Sequence, residues 1–122
     1  MKVIYLASPY RSSPQFGYKS EFGLFSNWMS AHEISRRIWK LGAACISPVS
    51  NTFCFSGQDI QDEIFIEGDL EIISRCDAVL LNDNWQTSKG CTAEMEFAEA
   101  NNIKVFALDD WEDFVNFVKD KK

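Results

Sequence analysis

Short apolar runs alternate along the chain with longer segments in which apolar residues recur at the spacing of a helix. The short runs predict four β-strands, at residues 3–7, 43–47, 77–81 and 103–108. The helical spacing predicts α-helices at residues 28–41, 59–74, 90–100 and 109–121. Strands that alternate with helices pair in parallel and are joined by right-handed crossovers, so the pattern predicts an α/β protein.

A chain of 122 residues is long enough for one domain with one hydrophobic core, and we expect residues 1–122 to form a single domain. The expected architecture is a flavodoxin-like, or Rossmann-like, three-layer sandwich with a four- to five-stranded parallel sheet. The segment 8–25 is rich in Ser, Gly and aromatic residues and predicts a long loop, either a functional lid or a mobile segment.

Several residues are expected to set the ends of these elements or to anchor them. Gly42 is a plausible C-cap of the first helix, Pro48 ends the second strand, and Asp109 is well placed as the N-cap of the last helix. The apolar residues expected to anchor the middle two helices are Ile64, Leu70, Ile72 and Ile73, and then Ala93, Phe97 and Ala100.

Composition excludes some classes of function. Hydrophobic residues make up 46% and charged residues 25%, which is ordinary for a globular protein, and the formal net charge of -6 argues against broad nucleic-acid binding. The four cysteines contain no CxxC pair, and His32 is the single histidine, so no zinc site is expected. With no signal peptide and no apolar run of membrane-spanning length, a reducing, cytoplasmic setting without a membrane partner is expected.

Two common phosphate-binding motifs are missing. No GxGxxG follows the first strand, and GxxxxGK[ST] is found nowhere in the chain, so dinucleotide binding and P-loop chemistry are disfavoured. The loop 82–89 instead joins a buried strand to a helix start, which is where open α/β sheets bind ligands and where backbone N–H groups suit an anion.

Two carboxylates near these strand ends are candidates for chemistry. Glu94 lies in the first turn or so of the helix after the loop, where the helix dipole would help to keep it ionised; such a Glu also simply stabilises a helix. Asp69 lies in the preceding helix and is either a solvated residue or a second acid in the same cleft. A pair of carboxylates, one ionised and one protonated, suits cleavage at an anomeric carbon.

Four pieces of the chain, taken in order, resemble the nucleoside 2-deoxyribosyltransferase superfamily. They are YLASPYR at 5–11, GDLEIISRCDAVLL at 68–81, NWQTSKGCTAE at 84–94 and KVFAL at 104–108. The resemblance includes the 2′-deoxynucleoside 5′-monophosphate N-glycosidases and the short deoxyribosyltransferase-like proteins. Its most specific piece is SxGxxxE, formed here by Ser88, Gly90 and Glu94.

The resemblance implies a role for each matching residue. Glu94 matches the nucleophile that forms a covalent glycosyl-enzyme, and Asp69 matches the acid that helps to protonate the departing base. Tyr5 matches a tyrosine near the sugar, although an aromatic residue in a core strand is an equally good interpretation. Arg11 and Ser88 match residues that hold a 5′-phosphate, and a serine at position 88, where nucleoside-transferring members carry Asp, favours a monophosphate substrate.

The chain also departs from the family pattern. Pro9 and Tyr10 replace part of a Gly-rich, Ser-containing turn, so Ser8 is a substitute candidate for phosphate binding. Trp85 either stacks on the base or packs the loop, and Phe55 is a candidate for a wall or lid that faces the base.

The expected function is therefore cleavage of the N-glycosidic bond of a (deoxy)nucleoside 5′-monophosphate, with release of the free base and no cofactor. The alternatives are base exchange by a nucleoside 2-deoxyribosyltransferase, and a non-catalytic nucleotide-binding or interaction module on the same fold. The resemblance also implies a homodimer or higher homo-oligomer. Exposed aromatics in 16–28 would supply its interface, or would fold over their own core.

Overall fold

The computed structural model of the protein describes residues 1–9, 21–51 and 61–120, with the backbone alone at 21–24 and 62. Its strands are β1 (Val3–Ala7), β2 (Ala44–Ile46), β3 (Ala78–Leu81) and β4 (Lys104–Ala107). Its helices are α1 (Glu21–Lys40), α2 (Pro48–Asn51), α3 (Asp62–Ile73), α4 (Lys89–Ala100) and α5 (Trp111–Lys119), with 3₁₀ turns at Trp85–Thr87 and Leu108–Asp110.

The four strands form one parallel sheet in the order β2-β1-β3-β4. Tyr5, at the centre of β1, pairs with Ile46 on one side and Val79 on the other. The chain leaves β1 in one direction to form β2 and later returns to form β3 on the opposite side. The carboxyl ends of β1 and β3 therefore meet at a topological switch point, where ligands bind in open α/β sheets.

Helices cover both faces of this sheet, because successive strand residues point to opposite sides. Ile4 and Leu6 of β1 pack with α1 and α5 in one core cluster. Tyr5 and Ala7 pack with α3 and α4 in the other. The predicted α/β fold with a parallel sheet is confirmed, and the alternation in β1 places Tyr5 on the side of α3 and α4.

Some predicted boundaries and anchors are confirmed and others are wrong. The strands agree with prediction to within about one residue at each end, and Gly42 follows α1 with a φ of 93°. Helix α1 begins at Glu21, seven residues earlier than its apolar spacing indicates. Asp109 is not the N-cap of α5, since it lies inside the preceding 3₁₀ turn. The N-cap is Asp110, whose carboxylate accepts a hydrogen bond from Ala107 N at 3.2 Å.

Two sets of expected helix anchors also differ from the structure. Ile64 is 59% exposed, so it does not anchor α3, and Ile73 does. In α4 the fully buried residues are Cys91 and Ala98 rather than the alanines of the predicted stripe. Both errors have one cause: the position of a helix on the sheet decides which of its several apolar residues face inward. No helix in the described part of the chain is long and apolar enough to cross a membrane.

Candidate active site

Tyr5 is a core residue that also carries a polar contact. Its side chain has no exposed surface, and its hydroxyl donates a hydrogen bond to Oε2 of Glu94. Burial, together with the charges of Glu94 and then Asp69, raises the pKa of the Tyr5 hydroxyl well above its usual range. Tyr5 therefore stays protonated, and its one hydrogen is held as a donor towards a carboxylate.

Glu94 lies in the second turn of α4, six residues after the N-cap Ser88. Burial is the main reason that its pKa is raised to about 7, the charge of Asp69 raises it further, and the hydrogen bond from Tyr5 opposes both. The net shift of the Glu94 pKa is upward, although a helix dipole by itself favours the ionised form. The dipole acts mainly within the first turn, and here burial outweighs it.

Asp69 lies near the middle of α3 and is partly buried. Burial raises its pKa to about 6, and hydrogen bonding with Tyr5 opposes that rise. Tyr5 and Glu94 both respond to the charge of Asp69, so three elements, β1, α3 and α4, bring the three side chains together. The expectation of one acid clearly ionised and one clearly protonated is not met, because burial raises the pKa of both.

The coupling between Glu94 and Asp69 has a direct chemical consequence. Two carboxyls that interact across a partly buried site titrate as a pair, and the state with one charge is favoured over the state with two. A pair that holds one proton at near-neutral pH contains both an acid and a base. That is the requirement for breaking a bond at an anomeric carbon.

Asn82, directly after β3, is a buried polar residue that the sequence analysis did not single out. Its Nδ2 donates to Oγ of Ser8 and to Oγ of Ser30, each at 3.1 Å, and its Oδ1 accepts from Asp83 N at 2.8 Å. Its backbone N donates to Ala7 O at 2.9 Å, which extends the ladder between β1 and β3. The available signal was a polar amide immediately after an apolar strand at a ligand-binding edge.

Ser88 is the N-cap of α4. Its Oγ accepts a hydrogen bond from Cys91 N at 3.2 Å, and its carbonyl accepts one from Thr92 Oγ1 at 3.0 Å. Trp85 is half-buried and packs against the core cluster that contains Tyr5, which agrees with the packing interpretation. A Cβ added at Gly90 would lie 3.7 Å from Ser88 Oγ, an ordinary contact, so sterics among the described residues do not require glycine there.

Comparison with known proteins identifies the family to which the chain belongs. A protein-family model described as "Domain of unknown function (DUF4406)" matches residues 23–107, which include Asp69, Asn82 and Glu94. The chain belongs to the DUF4406 family. No curated protein matches the DUF4406 chain.

A solved structure shares the fold. It is a 2-deoxyribosyltransferase from the psychrotolerant bacterium Bacillus psychrosaccharolyticus, described as a biocatalyst for the synthesis of nucleosides. The match has a TM-score of 0.63 and 19% identity, and covers 86% of the DUF4406 chain and 70% of the transferase chain. The predicted fold is therefore confirmed, and it is the fold of this 2-deoxyribosyltransferase structure.

Two predicted site residues of the DUF4406 chain, Arg11 and Phe55, lie outside the described residues, as do Phe16 and Tyr18. Within the described ranges, no group of three or more His, Cys, Asp or Glu side chains is arranged to hold a metal ion. The site that the structure assembles consists of the Tyr5, Glu94 and Asp69 cluster on the α3 and α4 side, with Ser88 and the Asn82 network at the carboxyl edge of the sheet.

Proposed function

We propose that this protein cleaves the N-glycosidic bond of a 2′-deoxynucleoside 5′-monophosphate and releases the free base. The observation that carries the proposal is the hydrogen bond from the buried Tyr5 hydroxyl to Glu94, with Asp69 close enough to perturb both groups. A buried tyrosine hydroxyl needs some hydrogen-bond partner, but a neutral carbonyl oxygen would serve; a half-buried carboxyl with a raised pKa is the partner that catalysis uses. Perturbed carboxyls that meet at a ligand-binding edge are a common feature of active sites.

In the proposed first step, a carboxylate oxygen of Glu94 attacks C1′ of the sugar. The C1′–N bond breaks and its electron pair goes to the departing base. The form of the pair that reacts carries its one proton on Asp69, which gives that proton to the base. Tyr5 holds one oxygen of Glu94 by its hydrogen bond and so orients the other towards C1′. The product is an ester between the sugar and Glu94, which matches the chemistry that the family resemblance implies.

In the second step, water attacks C1′ and releases the sugar phosphate and the Glu94 carboxylate. Asp69, now ionised, accepts the proton of the attacking water and returns to its starting state. We assign Ser88 to the 5′-phosphate, since its hydroxyl lies at the start of α4, where it accepts a hydrogen bond from Cys91 N and where backbone N–H groups suit an anion. Arg11 remains a predicted phosphate ligand, and Phe55 a predicted wall of the base site.

Base exchange is the second candidate function. Its support is the fold shared with the 2-deoxyribosyltransferase, in which the same glycosyl-enzyme would be resolved by a second base instead of water. The two functions differ in the acceptor alone. A homo-oligomer stays a prediction, and among the described side chains of the 16–28 segment Phe25 is exposed.

The test is to incubate the protein with deoxynucleoside 5′-monophosphates and with deoxynucleosides, and to separate free base by chromatography. Release of base should fall by ~1,000-fold or more in Glu94→Gln, which removes the nucleophile. Glu96→Gln is the matched control, because Glu96 is exposed on the same helix. Base release that survives in Glu94→Gln would refute the assignment of the nucleophile.

Two further measurements separate the alternatives. Intact-mass analysis of the quenched reaction should show a sugar adduct on the wild type and none on Glu94→Gln. A second base added to the reaction should leave the products unchanged for a hydrolase and yield a new nucleotide for a transferase. Binding of nucleotides without any turnover would support a non-catalytic module instead.

A further inference from the structure

The Asn82 side chain joins three elements at the carboxyl edge of the sheet. Asn82 itself follows β3, Ser8 follows β1, and Ser30 belongs to α1. The hydrogen bond from Asp83 N identifies the acceptor atom as Oδ1, so the atom that faces both serine hydroxyls is the NH₂ group. The amide is 2% exposed, and its oxygen and both its hydrogens are used.

This arrangement fixes the direction of the serine hydroxyls. A hydroxyl has one hydrogen, and an oxygen that accepts from an amide must donate that hydrogen to a different group. Ser8 is buried, follows the central strand and is held at its oxygen by Asn82. Asn82 therefore makes Ser8 a hydrogen-bond donor at the ligand-binding edge.

A second buried hydroxyl lies on the same side of this edge. Ser47 follows Ile46, which pairs with Tyr5, so the alternation places Ser47 on the side of Leu6 and α1. Among the described residues, Ser47 Oγ has no hydrogen-bond partner although it is buried. An unpaired buried hydroxyl costs stability, and a polar ligand would remove that cost.

We propose that Asn82 is a positioning residue, which presents the Ser8 hydroxyl as a donor to the 5′-phosphate of the substrate. The inference rests on the proposed function. The carboxyl pair lies on the α3 and α4 side of the edge, and Ser8 lies on the α1 side. In this arrangement Ser8 approaches the 5′-phosphate from the α1 side of the edge, and Ser88 approaches it from the start of α4. The protein has a net charge of -6 and so repels anions at long range. Neutral hydroxyl donors at that position would hold an anion by short, direct hydrogen bonds instead.

The test compares KM values for a deoxynucleoside 5′-monophosphate and for the same nucleoside. Asn82→Asp keeps the shape of the side chain but can only accept, so the Ser8 hydroxyl turns its hydrogen inward. We expect KM for the monophosphate to rise at least ~10-fold more than KM for the nucleoside, with kcat changed by less than ~3-fold. Ser8→Ala should give the same selective rise, and the double variant should add less than ~3-fold to it.

Asn101→Asp is the matched control. Asn101 Nδ2 donates to Phe97 O at 2.8 Å at the end of α4, away from the site, and its loss should leave the ratio of the two KM values unchanged. The inference would be overturned, while the proposed function stands, if KM rose equally for both substrates in Asn82→Asp and in Ser8→Ala. A lower Tm with an unchanged ratio of the two KM values would overturn it in the same way. If the wild type binds nucleotides without turnover, the proposed function fails and the same ratio is measured from Kd values. No binding of the monophosphate at all would overturn both.

Discussion

Tyr5→Phe tests whether the buried hydroxyl serves catalysis or only completes the core. The substitution keeps the ring, which is fully buried, and removes the donor to Glu94. A hydrogen bond to a charged group is worth about 1.5–3 kcal/mol, and 1.36 kcal/mol corresponds to one pKa unit, so the pKa of Glu94 should rise by about 1–2 units. The starting value is about 7.

The loss of activity should depend on pH, because the nucleophile is the ionised form of Glu94. Its ionised fraction falls as pH drops through its pKa, so a higher pKa costs most on the acidic side. The ratio of wild-type to variant kcat/KM should be about 10- to 100-fold at pH 6 and about 2- to 10-fold at pH 8. Hydrogen bonding with Tyr5 also lowers the pKa of Asp69, so the variant keeps more Asp69 protonated at high pH, which makes the loss at pH 8 smaller still.

The assay is base release measured between pH 5 and pH 9, with Tm recorded at each pH for both proteins. Dividing the two profiles gives the pH dependence of the loss, so each variant measurement has its own internal control. An equal loss at pH 6 and pH 8 would contradict an action through the pKa of Glu94. No loss at any pH would mean that Tyr5 is a core residue whose hydrogen bond has no catalytic role.

Three other predictions follow from single features of the structure. The pKa of Glu94 is raised from 4.5 to about 7, so wild-type stability should fall as pH rises through that window; Glu94→Gln should make the fall smaller by roughly 2–3 kcal/mol in urea unfolding at pH 5 and pH 8, and the part that is left comes from Asp69. Ser88→Asp should raise KM for monophosphates at least ~10-fold more than KM for nucleosides. Equal rises in the two KM values would contradict a phosphate at Ser88. Gly42→Ala should lower the free energy of unfolding by about 1–2 kcal/mol, because the φ of Gly42 is 93°. Gly68→Ala, within α3, should instead raise it by about 0.5–1 kcal/mol. If chemical denaturation gave similar changes for both variants, the backbone argument would be refuted.

The sequence by itself determined the elements and the identity of the candidate acids. Short apolar runs located the strands, and a Gly located the end of α1. These are local signals, in which propensity, capping and backbone conformation depend on a few neighbouring residues. The ordered motifs also predicted the fold of the deoxyribosyltransferase structure.

The tertiary structure decided which of those residues meet and how they ionise. Tyr5 is adjacent to Glu94 because the register of β1 and the packing of α3 and α4 direct both to one side of the sheet. The direction of the Glu94 pKa shift depends on burial by distant segments, which a local argument from the helix dipole cannot include. The Asn82 network likewise joins residues 74 and 52 positions apart, so only the folded chain brings its donors and acceptors together.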